Sequence, residues 1–132
     1  MIELLVAVVL YPLNMTEESF TKHAIEFYSE KYHVPYDDAW RMAHCESRFQ
    51  NVRSQFWRTE DSFGPYQLQS EFYSRNAKRR GMYENPILRT SVEANVNMAI
   101  WVASQDGWSA WRNCAIKENL LGKKYNQELV LK

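Results

Sequence analysis

The feature that most limits how this chain can fold is an apolar stripe at helical spacing: Val92, Val96, Ala99, Ile100 and Ala103, closed by Asp106-Gly107. Residues three and four apart share one helix face, and a face that apolar must be covered by neighbouring elements. Thr90 followed by Glu93 reads as a capping box at its start. The same period recurs upstream. Asn14 with Glu17 three residues on predicts a cap, and Phe20, Ala24, Phe27 and Tyr28 predict a first helix to about Tyr32, where His33-Val34-Pro35 breaks it. A second helix, from about Asp37 to Ser47, carries Ala39, Trp40, Ala43 and Glu46 along one face. A third is expected from Tyr66 or Gln67 to Lys78, with Leu68, Phe72 and Asn76 in line; Gly81 and Asn85-Pro86 punctuate the chain beyond it. Between Phe49 and Gly64 the chain is polar and aperiodic, with room for a small β-hairpin. Trp108 to Cys114 reads as a short aromatic turn. The expectation is a mainly α (α+β) protein with a single helical domain over 14–116 and a polar tail over 117–132.

Composition excludes several function classes. With 132 residues there is no room for a separate cofactor module. Lys and Arg number 16 against 16 Asp and Glu, so the basic excess that accompanies phosphate neutralisation is missing, and nucleic acid is not expected as a partner. A mean hydropathy of −0.55 argues against an integral membrane protein. The one long apolar run, Ile2 to Leu10, is shorter than the roughly 20 residues a spanning helix needs. Glu3 at its start and Tyr11-Pro12 at its end are unlike the basic and small-residue ends of an export signal. Residues 1–13 are therefore read either as the remnant of such a signal or as a segment packed on the domain.

Cys45 and Cys114 lie far apart, no CxxC spacing occurs, and of His23, His33 and His44 only His44 is near a cysteine. No metal site and no cofactor are expected. The cysteines read as free buried thiols in a reducing compartment or as a disulfide in an oxidising one. A bridge closing so long a loop would contribute about 4 kcal/mol by restricting the unfolded chain. The aromatic content (5 Trp, 8 Tyr, 6 Phe, against 4 Gly and 4 Pro) hints at a ligand with flat apolar faces.

Glu46 is the residue out of place. A carboxylate on the apolar side of a helix is costly unless paired or protonated. Its position in the last turn, at the negative end of the helix dipole, adds to desolvation, and both raise the pKa. Such a carboxyl can remain protonated near neutrality and act as a general acid. The plainer reading is that Glu46 caps a loop or pairs with Arg48 or Arg53.

The surrounding residues bear on that choice. Ala43-His44-Cys45-Glu46-Ser47-Arg48-Phe49 resembles the "A..ESxF" block of the lysozyme-like lytic transglycosylase (SLT and goose-type lysozyme) family. Gly64-Pro65-Tyr66-Gln67-Leu68 is similar to its "GLMQI" or "GPYQ" block. Glu93-Ala94-Asn95-Val96-Asn97-Met98-Ala99 resembles its "N-I-x-x-G/A" helix, and Gly107-Trp108-Ser109-Ala110-Trp111-Arg112-Asn113-Cys114 resembles the "GW..W..C" close of secreted members. The four blocks stand in the family's order and cover most of the chain.

The resemblance implies a lysozyme-like fold with a substrate cleft and cleavage of the β-1,4 bond between N-acetylmuramic acid and N-acetylglucosamine in peptidoglycan. It implies that Glu46 is the catalytic acid, that Gly64 lies where backbone passes close to bound sugar, and that Gln67 is near the substrate. Tyr66, Ser62, Asn95 and Trp101 complete the expected substrate-binding set. It also implies a Cys45–Cys114 disulfide stapling the catalytic helix to the Trp-rich turn. Glycan strands of peptidoglycan are then the partner, the chain acts as a monomer, and its place is extracellular, periplasmic, cell-wall associated or on a phage. Two departures stand out. The family's helix tyrosine, which reaches the catalytic glutamate, is replaced at Val102 beside Trp101, so its hydroxyl must come from elsewhere, with Tyr66 the candidate. The common "AYNAG" ending is replaced by the Trp-Cys close.

In a transglycosylase one carboxyl suffices, whereas an inverting hydrolase needs a second, about 6.5–9.5 Å away, to hold a water. Asp61 and Glu60 are the candidates, against the plainer reading that both are solvated loop charges. Trp57, Phe63, Tyr66 and Tyr83 are expected as sugar-facing aromatics; Trp40, Trp108 and Trp111 are expected in the core. Lys78-Arg79-Arg80 reads as a solvated helix end.

Overall fold

The computed structural model describes residues 15–125; the expectations for residues 1–13 and for a cap at Asn14 lie outside them. The described residues form five α-helices: α1 (Glu17–Tyr32), α2 (Tyr36–Ser47), α3 (Ser70–Arg79), α4 (Val92–Asp106) and α5 (Arg112–Lys117). Short 3-10 turns at Pro86–Thr90 and Ser109–Trp111 precede the last two. The mainly α, single-domain expectation holds. Among the described residues strand is reduced to two antiparallel bridges, Arg53 with Phe63 and Phe63 with Leu68, in place of a hairpin.

Helix α4 is the axis of the fold, packed against α1 and α3. Val92, Val96, Ala99, Ile100 and Ala103 are all buried, as the stripe requires. Its cap is Ser91, whose hydroxyl accepts from the Ala94 amide at 3.1 Å, one residue beyond the expected Thr90. In α1 the cap is Thr16, accepting from the Ser19 amide, and Glu17 and Glu18 occupy the first turn, where the helix dipole favours negative charge. The buried face of α1 is Thr21, Ala24, Ile25 and Tyr28; Phe27, expected on it, points outward.

Helix α3 begins later than the phase of Leu68, Phe72 and Asn76 suggests. Gln67 adopts a left-handed backbone (φ 50°) and Leu68 is bridged to Phe63, so neither belongs to the helix. The indole of Trp108 is fully buried and donates to the Tyr125 hydroxyl at 2.6 Å; Trp111 donates to the Tyr66 carbonyl at 2.8 Å. Burying each such large side chain contributes roughly 1.5–3 kcal/mol.

The chain after α5 does not trail away at 117. Leu120 is buried, Lys123 Nζ reaches Asp38 at 2.7 Å, and the Tyr125 hydroxyl donates to the same carboxylate at 2.8 Å. Asp38 is itself buried in the first turn of α2, so residues 118–125 complete the domain by satisfying it. No helix among the described residues is long and apolar enough to cross a membrane.

Candidate active site

Two ties, one covalent and one a hydrogen bond, fix the last turn of α2. Cys45 is bridged to Cys114 of α5, with the Cα atoms 5.9 Å apart. The hydroxyl of Ser47 donates to the Pro65 carbonyl at 2.8 Å. Glu46 stands between these two anchors. The helix ends at Arg48 in a left-handed conformation, and Phe49 folds into the core.

The loop opposite is shaped by Asn95 from α4. Its side chain is fully buried: Oδ1 accepts from the Tyr66 amide at 3.0 Å, and Nδ2 donates to the carbonyls of Phe63 (2.8 Å) and Arg89 (2.9 Å). Gly64 crosses this amide so closely (φ +88°) that a Cβ there would lie 2.2 Å from Asn95 Nδ2. Only glycine combines that backbone with that clearance. Gln67 Nε2 in turn donates to the carbonyls of Val52 and Gly64, locking the turn from its other side.

Glu46 opens into a cleft of about 310 Å³, with Glu60, Ser62, Gln67, Phe72 and Trp111 among its walls. A second hollow, continuous with it through Glu46, Glu60, Gln67 and Asn113, runs along Arg53 and Phe56. Burial first, and then the charge of Glu60, push the Glu46 carboxyl from 4.5 up to about 7. Among the described residues no cation lies within ion-pair distance of it, so pairing with Arg48 or Arg53 is not what Glu46 does. A half-buried carboxyl that holds its proton near neutrality, open to a cleft, can donate that proton to a bound group and later take one back.

The other expected site residues divide. Gln67 and Ser62 line the cleft beside Glu46. The Gln67 amide nitrogen is committed to backbone, so its contact with a ligand falls to Oε1. Ser62 donates to Glu60 Oε1 at 2.6 Å and aims that carboxylate. Of the two second carboxylates, only Glu60 shares the cleft. Asp61 turns to the start of α3, accepting from the Ser70 amide at 3.2 and 3.3 Å, with Arg89 3.9 Å away. Hydrogen bonding to Ser70 first, and the Arg89 charge after it, hold Asp61 below the usual carboxylate range.

Three expected substrate contacts are not available as such. Tyr66 is fully buried, stacked on Trp108, and its hydroxyl donates to the Ala39 carbonyl at 2.7 Å; it neither faces sugar nor orients Glu46. Asn95 is spent on the loop backbone, and its amide by itself requires glycine at 64. Trp101 lines neither hollow that holds Glu46; the Arg79 and Arg80 guanidiniums cover it at 5.0 and 4.8 Å.

Among the aromatics, Trp57 is exposed beside Glu60, Phe63 is half-buried in the bridge, and Tyr83 is exposed and lines neither hollow that holds Glu46. Trp108 and Trp111 are in the core, while Trp40 is partly buried and stacks on His44. Arg79 and Arg80 are not simply solvated: Arg79 pairs with Asp106 at 2.7 Å, and Arg80 donates to the Tyr32 hydroxyl. The wall formed by Phe72, Ala110, Arg112 and Asn113 leaves no mark in the sequence pattern. Phe72 lies on a helical stripe and the others fall within two residues of the core tryptophan Trp111, so core packing masked their exposure. Among the described residues no three His, Cys, Asp or Glu side chains gather as a metal site. No protein-family model, curated protein or solved structure matches the chain.

Proposed function

We propose that this chain is a peptidoglycan-cleaving glycosidase of the lysozyme-like lytic transglycosylase kind, with Glu46 as its acid and base. The observation that carries the proposal is convergence. The four blocks that resemble the family are scattered in sequence, yet the first, second and fourth put residues into the walls of one cleft, and the third braces the loop behind it. The first brings Glu46 and Ser47, the second Pro65 and Gln67, the third Asn95, the fourth Trp111, Asn113 and Cys114. At their meeting point is the carboxyl raised to about 7.

The chemistry proceeds from that protonation state. Protonated Glu46 gives its proton to the glycosidic oxygen as the C–O bond breaks, and the N-acetylglucosamine hydroxyl departs. The oxocarbenium left on the muramoyl ring is stabilised by the sugar's own 2-acetamido group. Glu46, now ionised, takes the proton of the muramoyl 6-hydroxyl, whose oxygen closes on C1. The product is a 1,6-anhydro end, the proton is back on Glu46, and no water is consumed.

A second reading, hydrolysis, is favoured by one observation. Glu60 shares the cleft with Glu46 and is held by Ser62, so a carboxylate is present that could activate a water. Asp61 has no such place. A third possibility, from a different class, is a catalytically silent wall-binding module. Digesting purified peptidoglycan and weighing the products by mass spectrometry separates them. Anhydro-muropeptides support transglycosylation, reducing ends support hydrolysis through Glu60, and an intact glycan sinks both. The disulfide suits an oxidising compartment, in keeping with an exported or virion-borne protein acting on cell walls.

A further inference from the structure

The segment from Ser47 to Thr59, between the catalytic helix and Glu60, holds Arg48, Arg53 and Arg58 and no acidic residue. Within it the chain folds into a tight knuckle: the Phe56 amide donates to the Ser54 hydroxyl, and the amides of Thr59 and Glu60 both donate to the Phe56 carbonyl at 2.9 Å. Phe56 and Trp57 project from its tip, 60 % and 47 % exposed. The Arg53 guanidinium lies 4.3 Å from the Trp57 ring centre and that of Arg58 5.1 Å, so the indole holds both cations in place. Among the described residues neither arginine has a carboxylate within ion-pair distance. Arg53 and Phe56 line the hollow that contains Glu46; Trp57 and Arg58 line an adjoining one that contains Glu60.

We infer that this arginine–tryptophan knuckle is a docking surface for the stem peptides of the glycan strand, with Arg53 and Arg58 receiving their free carboxylates. The inference rests on the glycosidase reading and deepens it. A glycan carrying peptides is a polyanion, and the Glu60 carboxylate repels it beside the point of cleavage. With the chain neutral overall, attraction must be local, and the knuckle puts opposite charge at the edge of the same cleft. Guanidinium presents paired N–H donors that match a carboxylate, and its stacking on Trp57 reduces the ordering such a contact requires.

The test uses Glu46→Gln protein, so that bound strands stay intact, titrated calorimetrically with soluble glycan strands either bearing stem peptides or stripped of them by an amidase. Peptide-bearing strands should bind roughly three- to tenfold more tightly, the range expected for two exposed ion pairs, with the advantage shrinking as salt rises. Adding Arg53→Gln and Arg58→Gln together should erase the preference while leaving the melting temperature unchanged; Arg58→Gln alone should erase part of it. Equal affinity for the two strands, an unchanged preference in the double variant, or a preference that tracks wall phosphate polymers instead of peptides would overturn the inference. Cleavage of stripped strands by protein with Glu46 intact reads the glycosidase proposal separately. If they are cleaved and peptides make no difference to binding, only the docking surface falls. If nothing is cleaved but the arginine-dependent preference persists, the glycosidase reading falls and the docking surface stands.

Discussion

Glu46 and Asp61 are two carboxylates that each share a hollow with Glu60, at opposite kinds of helix end. Glu46 occupies the last turn of α2, receives no helix amide, and is raised to about 7 by burial and by Glu60. Asp61 faces the first turn of α3, accepts the Ser70 amide, neighbours Arg89, and is held below its ordinary value. One is thereby kept as a proton donor near neutrality and the other as a permanent anion. The difference teaches that identity and proximity to a hollow do not by themselves keep a carboxyl protonated. What sorts them is whether backbone amides and cations have already claimed the charge.

That contrast can be broken in four places. The largest effect is expected from Glu46→Gln, which removes the proton donor while keeping the shape. Peptidoglycan cleavage should fall by roughly a thousandfold, within the range for general acid–base groups, measured as soluble muropeptide release. Asp61→Asn in the same assay should stay near the parent rate. Unchanged activity in Glu46→Gln would end the assignment of roles.

Next in size is the anchor beneath Glu46. Replacing Cys45 and Cys114 together by Ser should lower stability by about 3–4 kcal/mol, read by denaturant unfolding with and without reductant. Reductant should destabilise the parent and leave the variant unmoved. Asp61, on the far side of the loop, should keep its titration in NMR.

The third test is a sign. The native state holds the Glu46 proton to about pH 7, while the unfolded chain releases it near 4.5. The stability associated with this group is therefore full below pH 4.5 and is lost as the pH rises towards 7. Glu46→Gln carries no such penalty. It should match the parent in acid and exceed it above neutrality by about 2 kcal/mol, visible as diverging melting temperatures.

The smallest effect is the mirror image. Asp61→Asn should destabilise the protein at neutral pH by less than about 1 kcal/mol, because the side chain is largely exposed and solvent screens its interactions. The loss should disappear as the pH falls through the lowered Asp61 value. A stabilising Asp61→Asn would mean that the helix N-terminus contributes nothing there.

The helices and the anomalous glutamate were legible in the sequence because both are matters of period. A stripe of five apolar residues has one way to be buried, and a carboxylate placed on such a face declares itself. The destinations of polar side chains were less legible. Asn95 has the same period as a buried stripe and the same motif as a ligand contact; only the folded loop decides that its amide serves Tyr66, Phe63 and Arg89. Tyr66 is part of a substrate-like block, yet its hydroxyl is satisfied by Ala39 across the core. Gln67 and Leu68 fit helical phase with Phe72, but a left-handed residue and a bridge to Phe63 override phase. Long-range backbone contacts leave no periodic mark.

Asp38 sets where this protein can be cut. Its buried carboxylate is answered by Arg41 from its own helix and by Lys123 and Tyr125 from beyond α5. A shortened version ending at residue 116 would leave that charge with Arg41 alone and would uncover Trp108, whose indole loses the Tyr125 hydroxyl. The chain's last described turn is thus a clasp on the base of the helix that carries Glu46, and a partner fused to this end needs its spacer placed after Tyr125.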